Sequence, residues 1–175
     1  MKKVAYISSK FLFYTYTALY LFIMIFSILS FLEYKFDIQI PFVDVFENHS
    51  KIKVPVLGFR INVPFNYSIL IMWSLMLFYL IYFYSFKEFL RVFIKEKMFE
   101  DESLKRLQIF LKLNVIPLIY IIVFFALCLV RGLTLRFEDD YVIVLAHLVV
   151  AFLIYLYLDV LKKGKHIQEE NDLTI

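Results

Sequence analysis

Four stretches of the chain are apolar almost without interruption, at residues 11–32, 67–86, 113–130 and 141–158. Each approaches the roughly 20 residues that carry a helix across about 30 Å of hydrocarbon. The first two contain no charged residue, the third is broken only by Asn114 and Pro117, and the fourth holds one polar outlier, His147. None shows the strict alternation of a barrel strand, and isolated strands would leave their backbones unsatisfied in lipid. The pattern therefore predicts four transmembrane helices, at 11–32, 67–86, 113–130 and 141–160. The first is read as a retained anchor rather than a signal peptide, because it exceeds an ordinary h-region and no small-x-small cleavage site follows it.

The connections are polar and unequal. Residues 33–66 form the only sizeable loop on their side. Within it "FDIQI" and "FRINV" alternate apolar and polar positions, punctuated by Pro55, Gly58 and Pro64, which predicts one or two short hairpins. A lone hairpin is marginal in water, so this external cap should borrow stability from the helices or from a second subunit. It is read as a packing cap in preference to a substrate lid. Residues 87–112 differ: Phe89, Leu90, Phe93 and Ile94 recur at helical spacing among Lys87, Glu88, Arg91, Lys95 and Glu96. Helix 2 should continue past its apolar run. Helix 3 should restart near "MFEDESLKRL", with Phe99 as a hydrophobic staple and Glu100, Asp101 and Glu102 at its positive end. The short turn "RGLTLRFEDD" makes helices 3 and 4 antiparallel neighbours, with Arg131 and Arg136 near Glu138, Asp139 and Asp140 as a solvated rim. Residues 161–175 read as a polar tail.

Charge orients this arrangement. Lys2, Lys3, Lys10, Lys87, Arg91, Lys95, Lys97, Lys105, Arg106, Lys162, Lys163 and Lys165 lie on one side. Only Lys35, Lys51, Lys53, Arg60, Arg131 and Arg136 lie on the other. Basic residues collect on the cytoplasmic side, so both termini, the middle connection and the tail are expected there. Of the 175 residues, 62% are hydrophobic and 20% aromatic, more apolar surface than a soluble domain of this length can hide. The lipid bilayer is thus the first expected partner. The net charge of +3 is dispersed and forms no basic stripe, so direct nucleic-acid binding is not expected. A single cysteine, Cys128, excludes an intrachain disulfide and a Cys-based zinc site.

Candidate chemistry is sparse. His147 lies near mid-depth of helix 4, where a polar group is costly and marks a functional candidate. Asn114, Thr15, Thr17 or Ser74 could satisfy it if their depths match, and Asn114 is expected to lie too near the cytoplasmic side. Pro117 should kink helix 3. Interhelical hydrogen bonding is the favoured reading of His147, ahead of a ligand, proton or metal site. No His-Glu-x-x-His, Gly-x-Ser-x-Gly or Gly-rich phosphate loop is present. No catalytic residue, metal site or cofactor is expected, and the chain is read as a non-enzyme.

Two stretches carry a resemblance. "KMFEDESLKRL" in the middle connection and Gly164 followed by "KHIQEENDLTI" at the end resemble the uncharacterised bacterial four-helix membrane family known as domain-of-unknown-function family 2975. The resemblance implies a bacterial inner-membrane protein with no established activity. It also implies a possible cytoplasmic partner, a small helix-turn-helix regulator encoded nearby. On the residues alone, Glu169, Glu170 and Asp172 could pair with Lys105 and Arg106, with Leu173 and Ile175 filling an apolar groove; Phe99, Glu100 and Thr174 are further candidates for this clasp or for a partner surface. Alternatively, the acidic tail is offered to a basic partner.

The resulting expectation is an all-α membrane protein. It has four transmembrane helices, cytoplasmic extensions of helices 2 and 3, and a small external β-hairpin-like cap. Its role is regulatory or binding, through the middle connection and the tail. A small ligand-binding or carrier protein using His147, Asn114 and Pro117 is the alternative, and homo-oligomeric scaffolding is not separable from the first role.

Overall fold

A computed structural model of the chain describes residues 2–55, 58–94, 100–130 and 140–172, without the side chains of Leu127, Asp140, Tyr141 and Asp172. The elements run α1 (Lys2–Phe36), β1 (Val43–Val45), β2 (His49–Lys53), β3 (Arg60–Pro64), α2 (Ser68–Val92), α3 (Asp101–Val130) and α4 (Asp140–Asp172). Each helix carries one of the four apolar runs, with Tyr67 just before α2, and all four are long and apolar enough to cross a membrane. The chain is mostly helical rather than all-α, because a three-stranded antiparallel sheet of order β1-β2-β3 stands between α1 and α2. It divides into two compact units, Ile7–Tyr84 and Ser85–Ile175, the second including Met1–Tyr6.

In the unit Ile7–Tyr84, α1 stops at Asp37, whose positive φ of 54° is a left-handed conformation that Asp tolerates. Its N–H returns to the Glu33 carbonyl at 2.8 Å, and the Glu33 carboxylate accepts the Ile40 N–H at 3.1 Å. These local bonds claim the backbone of "FDIQI", so that segment is a helix end and turn, not the strand its alternation predicts. The strand before β2 begins instead at Val43. "FRINV" does become a strand, β3.

The sheet has one apolar face and one polar face. Ser50, Ile52 and Val63 are buried, while Lys53, Arg60 and Asn62 face outward. Ile52 and Val63 form a core with Ile69 of α2, against which Phe22, Phe26, Phe31, Met72 and Trp73 pack. Asn66 caps α2 by accepting the Ser68 N–H at 2.9 Å. The Tyr16 hydroxyl donates to the Met76 carbonyl at 3.1 Å, tying α1 to α2. On the outer face Lys53 donates to Asp44 at 2.8 Å, and this bond, with the nearby cations Arg60 and Lys51, holds the Asp44 carboxyl below its ordinary range.

In the second unit α3 and α4 pack side by side. His147, Ala151, Ile154, Leu158 and Leu161 form one buried stripe on α4, spaced alternately four and three residues apart. They meet Leu104, Leu107, Phe110 and Asn114 of α3, also buried. The outward faces of all four helices carry exposed large apolar side chains, as lipid-solvated helices do.

Ile52→Ala should leave a cavity under the sheet and destabilise the cap by about 2–4 kcal/mol. The readout is faster protease cleavage between α1 and α2 in detergent, with the far-UV helical signal retained. A second expectation concerns pH. Because the folded carboxyl of Asp44 has a lowered pKa, its contribution is complete above the ordinary aspartate value of 3.8 and is lost as pH falls through the lower folded value. Acid-induced loosening of the cap should therefore be blunted in Asp44→Asn, as read by the same cleavage assay across pH.

Candidate functional site

Three helix ends of opposite charge meet within Ser85–Ile175. Phe86 and Phe89 lie on the last turns of α2, and Phe93 directly follows it. Phe89 packs on Phe110 of α3 with centroids 4.9 Å apart, and Phe93 stacks on Tyr157 of α4 at 5.1 Å. These rings join the three helices in an aromatic core, and ionic groups surround it. Arg106 of α3 donates through Nη1 to Glu88 of α2 and through Nη2 to Glu102, one turn back, at 2.6 Å. Glu88 also lies 3.5 Å from Lys87 and from Arg91. The Glu88 and Arg106 side chains are only 13% and 22% exposed, so each is better satisfied by the other than by water.

The start of α3 explains its position. The Ser103 and Leu104 N–H groups both bond to the Glu100 carbonyl, at 3.0 and 3.2 Å, and Asp101 and Glu102 occupy the first turn, where the helix dipole favours anions. Asp101 then accepts from Lys165 of α4 at 2.5 Å, across 64 residues of sequence. The 161–175 segment is tied to the start of α3 through Lys165. Through Asp172 it continues α4 as helix, passing Gly164. Glycine there costs about 1 kcal/mol relative to alanine. Pairs one turn apart offset part of it: Asp159 with Lys163, Lys165 with Glu169 and His166 with Glu170.

The described tie between tail and middle connection thus runs from Lys165 to Asp101, with the polarity opposite to the expected pairing of Glu169, Glu170 and Asp172 with Lys105 and Arg106. Glu169 and Glu170 lie against Lys165 and His166 of their own helix, at 3.5 and 3.4 Å. Arg106 is engaged by Glu88 and Glu102, and Lys105 is exposed. Phe99, Leu173, Thr174, Ile175 and the Asp172 side chain lie outside the described residues, as do Arg131, Arg136, Glu138 and Asp139. Glu88 and Lys165 bear no motif that singles them out. A signal for Lys165 was nevertheless present: it falls one turn beyond Leu161 on the buried stripe of α4.

The second candidate, His147 with Asn114 and Pro117, requires a correction. Asn114 is not too near the cytoplasmic side: its Oδ1 lies 3.0 Å from His147 Nδ1, with both side chains buried. Asn114 Nδ2 donates to the Phe110 carbonyl at 2.8 Å, so Oδ1 faces the imidazole and can only accept. Nδ1 must therefore carry the proton. The depths match because the helices are staggered. Asn114 and His147 therefore stand at one level of the antiparallel pair. α3 is helical on both sides of Pro117. The pair fastens α3 to α4. Among the described residues, no group of three His, Cys, Asp or Glu side chains is arranged to hold a metal ion.

A family model described as Protein of unknown function (DUF2975) matches residues 43–175, a span that includes the sheet, the charged helix ends and the final decapeptide. Neither a curated protein nor a solved structure matches the chain.

Replacing Arg106 by Ala should lower the thermal stability of the detergent-solubilised protein by about 1–3 kcal/mol, because Glu88 is left half-buried without its guanidinium. Arg106→Lys should recover less than half of the loss, since one ammonium cannot bridge two carboxylates as a planar fork does. Differential scanning fluorimetry of the three proteins decides it, and equal stability of Lys and Arg forms would contradict the bridging role.

Proposed function

Since the chain belongs to the family described as Protein of unknown function (DUF2975), we propose that it is a non-enzymatic membrane protein that binds a soluble cytoplasmic partner. The binding surface is the charged end formed by α2, α3 and α4. The observation that carries this reading is the Asp101–Lys165 contact beside the Glu88–Arg106–Glu102 bridge, which supports a preorganised polar platform built from segments distant in sequence. Membership of Met1–Tyr6 in the same compact unit supports placing the N-terminus on that side as well. The basic bias of these segments then puts the platform in the cytoplasm of a bacterial inner-membrane protein.

Charge suggests the kind of partner. Beyond Lys165 the helix bears Glu169, Glu170 and Asp172 near its C-terminus, where the dipole disfavours anions. A basic protein surface would relieve that repulsion. A small helix-turn-helix regulator has such a surface on its DNA-binding face, so holding it at the membrane would compete with DNA.

Truncation after His166 removes the acidic end while keeping the Lys165 tie. Co-purification of a helix-turn-helix regulator from detergent extracts should fall at least tenfold, with membrane insertion unchanged. Binding to the full-length protein should weaken as salt rises. Undiminished co-purification with the truncated chain would remove the tail from the proposed surface.

A further inference from the structure

Hydroxyl groups on α1 and α2 commonly turn to their own helix. Thr17 donates to the Phe13 carbonyl, Ser30 to Ser27 and Ser74 to Leu70, all at 2.7–2.8 Å. Three polar atoms in the unit Ile7–Tyr84 are not satisfied in this way. Ser27 Oγ on α1, Ser50 Oγ on β2 and the indole Nε1 of Trp73 on α2 are buried and have no hydrogen-bond partner. The Ser27 and Ser50 residues are 0% exposed. Such groups are rare in folded proteins, and each calls for an occupant or a reason.

The three atoms belong to one core. Ser50 shares the inner face of β2 with Ile52 and stands opposite Val63 on β3. Ile52 and Val63 are the centre of the cluster beneath the sheet, and Trp73, one turn past Ile69, packs against it. On α1 the residues around Ser27, Phe26 before it and Phe31 a turn later, pack on the same cluster. Two hydroxyls and an indole N–H thus lie buried on three elements that enclose one aromatic, uncharged interior. All three can donate, and the indole can only donate. What they lack is an acceptor oxygen.

We propose that the core beneath the sheet binds an uncharged, largely apolar molecule whose carbonyl oxygens are met by donors among Ser27, Ser50 and Trp73. Glyceride esters and quinones share this chemistry. A charged headgroup is disfavoured, because the cluster and the residues packed on it include no ionic side chain. The inner face of the sheet closes over the site, so the cap's polar outer face is left to water. This site is independent of the charged platform at the other helix ends and stands or falls separately from it.

Trp73 is the chain's only tryptophan, so indole emission reports this site alone. The full-length protein in dodecyl maltoside is titrated with dioctanoylglycerol, with a decyl-substituted benzoquinone, and with dodecane as a carbonyl-free control. One of the two carbonyl compounds should change the emission saturably, and the responding arm identifies the source. Dodecane should bind at least about tenfold more weakly, and the Ser27→Ala, Ser50→Ala double variant should lose about tenfold in affinity. Removing unpaired buried hydroxyls should not lower the melting temperature of the ligand-free protein, so the variant remains a readable control. A saturable response to neither compound, as for a core holding only water, overturns the proposal. So does an equal response to dodecane, or an unchanged affinity in the double variant.

Discussion

A polar group in hydrocarbon has no water to bond to, and every feature of this chain answers to that constraint. The backbone answers it with four long helices, in which each interior N–H finds a carbonyl four residues back. Polar side chains within those helices answer it locally or across a helix pair. Thr17 and Ser74 use their own helix's carbonyls, Tyr16 reaches the Met76 carbonyl, and Asn114 and His147 use each other. Once the Asn114–His147 bond is made, the stagger of α3 on α4 is set, and with it the level at which the two helices deliver Asp101 and Lys165. The same rule makes Ser27, Ser50 and Trp73 informative, because their neighbours obey it and they do not.

Ion pairs among the described residues lie toward helix ends and on the outer face of the sheet, and the two regions use them differently. On the sheet, Lys53 and Asp44 are well exposed, and a pair of that kind contributes little to stability. At the helix ends Glu88 and Arg106 are mostly shielded, and their contact is charge-assisted and forked. Shielding raises the strength of the contact and also the penalty for breaking it. The platform built by α2, α3 and α4 is therefore stiffer than a collection of surface charges would be. The aromatic contacts among Phe89, Phe93, Phe110 and Tyr157 reinforce it from below. The protein is a multi-pass membrane protein of a family of unknown function, and this platform is its most elaborated polar feature among the described residues.

The helices were legible because an apolar run of about 20 residues admits few other structures. The start of α3 was legible too, since an acidic first turn followed by Lys105 and Arg106 is a local signal. The sheet was half legible. "FRINV" folded as its alternation indicates, whereas "FDIQI" did not, because Glu33 and Asp37 formed short-range bonds that period-two patterning does not register. That the tail meets the middle connection was expected, but the residues that make the contact were not, and neither was its continuation of α4 as helix through Asp172. Its helicity depends on pairs such as Lys165 with Glu169 and on a contact 64 residues away, which no local window contains. An interhelical hydrogen bond at His147 was expected and is present, but the level of Asn114 was misjudged: depth was counted along each helix alone, and the stagger between helices is a tertiary quantity.

That stagger bears on why the last turns of α4 stay helical despite acids at their C-terminal end. A free helix ending in Glu169, Glu170 and Asp172 would fray, since the carbonyl dipoles and the carboxylates repel. Here the helix is secured one turn earlier, where Lys165 is held by Asp101 and Leu161 is buried against α3. The securing point lies just inside the acidic stretch, so the final turn projects from a fixed base with its repulsion only partly offset by Lys165 and His166. A segment in that condition gains helical stability from any cation that approaches it, and the gain is larger than for an unstructured acidic peptide, which must first be ordered. On the proposed reading, an incoming basic surface is rewarded twice, by direct attraction and by completion of the helix.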